Sequence, residues 1–247
     1  MLAAVLFDMG GTLDGLHWLD RFAGEYARAG VTIPWEVLRA AFDGAERRAA
    51  SDEAIMSAGL DDMIDRHVGW QFEHLRTDSV ATAGIDTPGL RQRVARGFAE
   101  SLRADAMPSV GVLATLKSRG LQLGVVSNAC GNADRLCDDL GFAPYLSLVV
   151  DSRRVGVSKP DPAIYTYAVR RLGLPPSSIM MVGDSFERDI QPARAIGMRT
   201  AWLEGPASRG CPDRSCVDLS LRTLTDLTAL LALSDVDGLA APSRTVA

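Results

Sequence analysis

A chain of 247 residues, 47% hydrophobic and 23% charged, is long enough for one doubly wound domain or for a core carrying a smaller inserted one. Its formal net charge of −5 argues against a nucleic-acid or anionic-membrane partner. No leader-like segment opens it and no apolar run reaches the length of a bilayer span, so a cytoplasmic location is expected.

The N-terminal stretch Val5-Leu6-Phe7-Asp8-Met9-Gly10-Gly11-Thr12-Leu13 sets the frame. An apolar run rich in β-formers stops at Asp8 and enters a glycine turn, so a buried strand delivers Asp8 to its C-terminal edge. In open parallel sheets that edge is where ligands sit. On its own the stretch is equally an ordinary strand-to-turn junction, with Asp8 serving local backbone donors.

Helical periodicity follows from Gly15 to about Arg103. Leu16, Leu19, Phe22, Ala23 and Tyr26 share one face, and Gly30 ends that helix. Trp35, Leu38, Ala41, Phe42 and Ala45 repeat the pattern after Pro34. A third helix is expected to carry Ile55, Met63, Ile64, His67, Val68 and Phe72, and a fourth Leu90, Val94, Phe98 and Leu102. Beyond Pro108 the rhythm changes. A helix with Val110, Leu113 and Leu116 ends at Gly120, and strands are expected at 121–126, 146–150, 179–182 and 199–203, with helices between them. The expected fold is therefore α/β: a Rossmann-like doubly wound parallel sheet (residues 1–13 and 104–233) with an inserted all-helical unit (14–103). Residues 206–216 read as a loop and 234–247 as a disordered tail.

The cysteines are Cys130, Cys137, Cys211 and Cys216, with no C-x-x-C pair, so free thiols are expected. Cys211 and Cys216 are spaced to approach one another around the 206–216 loop. The lysines are Lys117 and Lys159 alone.

Polar groups fall at successive strand ends: Asp8, Ser127-Asn128, Lys159 on a loop, and Asp184 with Asp189. Each has a structural explanation as a cap, a turn residue or a solvated charge. Together they fit one task. Three carboxylates suit a magnesium ion and a substrate phosphate. A hydroxyl and an ammonium bind the phosphoryl oxygens. One carboxylate can attack phosphorus and form an aspartyl-phosphate.

These motifs, FDMGGTL, VVSNA, the Lys159-Pro160 of SKPDPAIY, and GDSFERD, resemble in order the four motifs of the haloacid dehalogenase superfamily. The resemblance runs from Leu2 to about Leu231, and the helical insert stands where that family's cap domain belongs. It implies a hydrolase acting on a small phosphorylated metabolite, with Asp8 as nucleophile and magnesium ligand. Gly10, through its carbonyl, and Asp184 would be further ligands, and Asp189 would support the metal site. Thr12, Ser127, Asn128 and Lys159 would bind phosphate, with Lys159 also catalytic in neutralising charge around Asp8. Nothing in the sequence sets an oligomeric state.

Phosphatases of this family carry a second aspartate, the general acid and base, two residues after the nucleophile. Gly10 stands there. Such a group typically contributes roughly 10²–10⁴-fold. Three explanations stay open: a leaving group good enough to depart unaided, an acid supplied by Asp14, His17, His67 or His74, or a poor catalyst that binds a phosphorylated ligand. Of these candidates, His67 reads as a core histidine and Asp14 as the N-cap of the first inserted helix. A positive φ angle is another reason for glycine at position 10. Three other readings fare worse. A metal-free haloacid dehalogenase leaves Asp184 and Asp189 unexplained. A phosphonatase needs an insert lysine that 15–103 lacks, and a sugar-kinase-like loop needs a second D-x-G-G-T.

Overall fold

The computed structural model describes residues 1–15, 17–77, 85, 87–204 and 212–233. The tail from 234, Cys211 with its preceding loop, and Leu16 lie outside the described residues. The strands are β1 (Ala4–Phe7), β2 (Gln122–Ser127), β3 (Leu148–Asp151), β4 (Ile179–Gly183), β5 (Arg199–Leu203) and β6 (Leu219–Leu221). They form one parallel sheet in the order β3-β2-β1-β4-β5-β6.

Every residue of β1 is 0% exposed, because both faces of the sheet are covered. Its side chains alternate. Val5 and Phe7 enter a core with Leu123, Val125, Met180 and Val182, whereas Ala4 and Leu6 enter another with Val126, Val150, Ile179 and Met181. Helices α4 (Leu90–Ser118), α5 (Ala133–Asp139) and α9 (Leu224–Leu233) supply side chains to the first core. Helices α7 (Pro162–Leu172) and α8 (Gln191–Ala195) supply the second, and a single turn, α6 (Ser152–Val155), follows β3. The chain lays β1, β2 and β3 outward, then returns to place β4 on the free side of β1. That reversal opens a crevice at the carboxyl ends of β1 and β4.

Between β1 and β2 the described residues hold helices and no strand: α1 (Trp18–Arg28), α2 (Trp35–Ser51), a short turn (Glu53–Ser57), α3 (Leu60–Leu75) and α4. Phe22 centres this layer, stacked on Phe98 with ring centroids 4.1 Å apart and on the His67 ring at 5.1 Å.

Four details differ from expectation. Ile55 belongs to the short turn, which Asp52 caps by accepting from Ala54 N at 2.9 Å, and α3 begins only after Gly59. Pro108 does not separate two helices, since α4 runs through it for 29 residues. The proline removes the bond to the Ala104 carbonyl, a cost of about 3 kcal/mol. Burial of Phe98, Leu102, Leu113 and Leu116 on the same helix offsets it. The expected division at 103 and 104 therefore falls inside one continuous helix. Asp14 is no N-cap, for α1 starts at Trp18 and His17 occupies the capping position. Finally, β6 and α9 extend the core beyond the strands foreseen. No helix among the described residues is long and apolar enough to cross a membrane.

Candidate active site

Asp8 leaves β1 with its N–H on the Val182 carbonyl of β4, 2.9 Å away, which fixes it in the crevice. The turn after it, Met9–Leu13, has Gly10 at φ −72° and ψ 117°, and Gly11 at φ +83°. The left-handed residue is thus Gly11. A Cβ there would also lie 2.9 Å from both Asp184 Oδ2 and His17 Cε1. At Gly10, by contrast, a Cβ would meet no atom within 4 Å.

Lys159 is the electrostatic centre. Buried among strand ends, its Nζ donates to Asp8 Oδ1 at 2.5 Å and to Asp189 Oδ1 at 2.8 Å. Burial alone would lower its pKa, but the charges of Asp8 and Asp189 outweigh it and hold the ammonium charged. For Asp8 burial wins. It pushes the carboxyl up to about 7 against the pull of Lys159, with Asp189 and Asp184 adding to the rise.

Asp189 is fully buried and bonded on both oxygens: Oδ1 accepts from Lys159, Oδ2 accepts from Ser185 N at 3.1 Å, and the Tyr165 hydroxyl, which donates to the Arg188 carbonyl at 2.6 Å, lies 3.4 Å from Oδ1. Asp184 accepts from Thr12 Oγ1 at 3.3 Å and pairs with His17 Nε2 at 3.0 Å. Burial works against the Asp184 carboxylate, yet the hydrogen bond and charge of His17 hold it below the usual range. One oxygen from each of Asp8, Asp184 and Asp189 lies within 4.8 Å of the others.

The remaining expected residues divide by what their side chains already hold. Ser127, at the end of β2, lines the cavity, and its hydroxyl has no protein partner among the described residues. Thr12 is buried and its hydroxyl is committed to Asp184. Asn128 also lines the cavity, with its amide held on the Lys159 backbone: Oδ1 accepts from Lys159 N at 2.8 Å and Nδ2 donates to Lys159 O at 2.9 Å. Asp14 is buried, taking Gly11 N on Oδ1 at 2.8 Å and Trp18 Nε1 on Oδ2 at 2.9 Å. His67 is a core histidine, as expected, and His74 is exposed on α3. Neither lines the cavity, which measures about 600 Å³ and opens between the strand ends and α2. The sequence reading missed Tyr165 and Gly183. The only signal for Gly183 was its place before Asp184.

The family described as haloacid dehalogenase-like hydrolase matches residues 2–197. Haloacid dehalogenase-like hydrolase domain-containing protein 3 of Danio rerio is 26% identical over 73% of this chain and 75% of its own. Phosphoserine phosphatase of Thermus thermophilus is 31% identical over 53% of this chain, and the match spans 54% of that enzyme's length. Among solved structures, a dehalogenase with an intermediate complex has a TM-score of 0.65 at 20% identity, over 94% of this chain and 98% of that one. That likeness is one of fold.

Proposed function

Since this chain belongs to the haloacid dehalogenase-like hydrolases, we propose that it is a magnesium-dependent phosphohydrolase that cleaves a small phosphorylated metabolite through an aspartyl-phosphate on Asp8. The observation that carries the reading is the convergence of Asp8, Asp184 and Asp189 within 4.8 Å of one another, with the Lys159 ammonium bridging Asp8 and Asp189. Asp8 and Asp189 share the one ammonium of Lys159 while Asp184 has His17 beside it, and burial drives Asp8 toward its protonated form, so the cluster of acids is short of positive charge at Asp8. An all-oxygen donor set of that charge fits a hard divalent cation. A metal-free dehalogenase would have no use for it. Asp8, Asp184 and the Gly10 carbonyl would hold the magnesium, with Asp189 behind them, since Lys159 and Ser185 each already bond one of its oxygens. The ion would supply positive charge against the phosphoryl oxygens.

The chain's own groups supply the rest. Lys159 holds Asp8 Oδ1 and leaves Oδ2 for phosphorus. As the Asp8 O–P bond forms, the ester P–O bond breaks and the leaving oxygen takes a proton from solvent. Water then attacks the same phosphorus, releasing inorganic phosphate and restoring Asp8. The Ser127 hydroxyl and the third N–H of Lys159 bind non-bridging oxygens. Thr12 acts at one remove, by steadying Asp184.

Gly10 supplies no acid, and the neighbours do not replace it. Both oxygens of Asp14 are taken, and His17 is tied to Asp184. Leaving groups that depart as stable anions, such as aryl and acyl phosphates, are therefore the preferred substrates. The helical insert 14–103 acts as the cap that closes the cavity, and the free thiols of Cys130, Cys137 and Cys216 suit a cytoplasmic location.

The test is hydrolysis of p-nitrophenyl phosphate with magnesium and with chelator, in wild type and Asp8→Asn. Turnover that needs magnesium and vanishes in D8N is expected, because an amide is neither nucleophile nor anionic ligand. A D8N protein as active as wild type ends the nucleophile assignment. Tight binding of phosphate esters without turnover would favour a binding relative, and metal-free chloride release from a 2-chloroacid would favour a dehalogenase.

A further inference from the structure

Helix α2 carries two stripes. Leu38, Ala41, Ala45 and Ala49 are buried. Beside them Trp35, Arg39, Phe42 and Glu46, spaced by four, three and four, line the cavity opposite Asp8. Glu46 is set apart by what stands behind it. The Tyr26 hydroxyl donates to Gln71 Oε1 at 3.1 Å, Gln71 Nε2 lies 2.8 Å from His67 Nδ1, and His67 Nε2 lies 2.9 Å from Glu46 Oε1. Tyr26, Gln71 and His67 are all buried, and the His67 ring is clamped parallel to Phe22 at 5°.

The chain of bonds has one direction. A carboxylate facing His67 Nε2 requires a hydrogen on that nitrogen, so Nδ1 accepts, Gln71 Nε2 donates to it, and the Gln71 carbonyl takes the Tyr26 hydroxyl. Apolar side chains would fill this interior with no polar group to desolvate. The relay has an outlet instead: a carboxylate on the cavity wall, its side chain 42% exposed and its Oε2 without a partner among the described residues. Arg39 stacks on Trp35, 5.5 Å from the ring centroid, and forms no ion pair with Glu46 among the described residues.

We propose that Glu46 selects the leaving group and selects one bearing an amine or ammonium donor, while Phe42 and Trp35 cover its apolar part. This rests on the phosphohydrolase reading above. A cavity of about 600 Å³ has room for such a group beyond the phosphate. Tyr26, Gln71 and His67 are positioning residues that aim the carboxylate.

The test uses para-aminomethylphenyl, para-aminoethylphenyl and para-aminopropylphenyl phosphate, each paired with the ester carrying methyl in place of ammonium. The three spacers vary the reach toward Glu46. The readout is the ratio of kcat/KM within each pair, which cancels any general effect of a substitution. Wild type is expected to favour the ammonium ester by about tenfold or more at the best spacer, the scale of a hydrogen bond to a charged group. In Glu46→Gln, whose amide oxygen still accepts from His67, the ratio falls by about tenfold, to what the acidity of the two leaving phenols alone sets. A wild-type ratio near one at every spacer, or an E46Q ratio equal to wild type, overturns the inference and leaves the phosphohydrolase standing. Loss of all turnover in both Glu46→Gln and Glu46→Ala also overturns it, since selectivity would then not be what Glu46 provides. Absence of wild-type turnover on every ester brings down the phosphohydrolase and this inference together.

Discussion

Asn128 grips Lys159 by both ends of one backbone unit, accepting from its N–H at 2.8 Å and donating to its C=O at 2.9 Å. The ammonium that joins Asp8 to Asp189 is therefore placed by an amide at the end of β2, not by its own loop alone. Asn128→Ala removes two hydrogen bonds of roughly 1 kcal/mol each. It frees the Lys159 backbone to shift, and a shift of about 1 Å at a reacting centre can cost on the order of 10²-fold. We expect kcat to fall by about 10- to 100-fold with a smaller change in KM, and stability to fall by about 1–3 kcal/mol. Unchanged steady-state kinetics in N128A would remove Asn128 from the site.

Gly183 ends β4 where Asp189 folds back against it. A Cβ at position 183 would lie 2.5 Å from Asp189 Cβ, Cγ and Oδ2. Gly183→Ala must therefore push Asp189 away from Lys159 and Ser185. Overpacking of this kind costs about 1–3 kcal/mol, and the displaced carboxylate leaves Lys159 with one partner. Urea denaturation and p-nitrophenyl phosphate turnover check the two effects, and an alanine variant matching wild type in both contradicts the close approach.

The sheet and its strand-end residues were legible because both rest on local rules: β1 is uniformly apolar up to Asp8, β2 and β3 end on Ser127 and Asp151, and Asp184 follows β4 directly. Less legible was whatever depends on tertiary partners. Pro108 reads as a helix end, yet packing along α4 carries the helix through it. Three-residue β6 is too short to show a period of two. Asn128 and Asp14 are polar residues beside glycines or strand ends, and nothing local reveals that one clamps Lys159 and the other braces Gly11 and Trp18. The stripe on α2 was read as core because Trp35 and Phe42 are apolar, and only the cavity shows Arg39 and Glu46 beside them.

Asp14 gives stability a pH dependence. Burial raises its carboxyl from an ordinary 3.8 to about 6, against bonds from Trp18 and Gly11 that favour the charged form. The folded state thus holds a proton that the unfolded chain has released. Its contribution is fully present below about pH 4 and is lost as pH rises through about 6, a change of about 2–3 kcal/mol. Asp14→Asn cannot titrate, and its amide leaves one of the two donors unpaired at a cost of about 1–3 kcal/mol at every pH. Denaturation at about pH 4 and about pH 7 should show wild type losing about 2–3 kcal/mol more than D14N over that interval. Equal losses in the two proteins would show that Asp14 ionises as it does in the unfolded chain.

Gly10 stands where the resemblance to the phosphatases of this family implies an acid, and its geometry allows one to be placed there. Gly10 sits at φ −72° and ψ 117°, which any residue adopts, with no atom other than those of its chain neighbours within 4 Å of a Cβ. The left-handed conformation belongs to Gly11, hemmed in by Asp184 and His17. Gly10→Ala is therefore expected to hold or raise stability by about 0.4–1 kcal/mol, whereas Gly11→Ala lowers it by more than that. Gly10→Asp should add an acid beside the leaving oxygen. It should raise kcat/KM for alkyl phosphates, whose alkoxides leave poorly unless protonated, by about 10- to 100-fold relative to phenyl phosphate. That is part of the roughly 10²–10⁴-fold such a group contributes, or about 3–5 kcal/mol of transition-state stabilisation in full. G10A, with a side chain but no acid, should leave the alkyl-to-aryl ratio where wild type has it. A ratio that moves equally in G10A and G10D, or in neither, would show that a missing proton donor is not what limits this enzyme on alkyl esters.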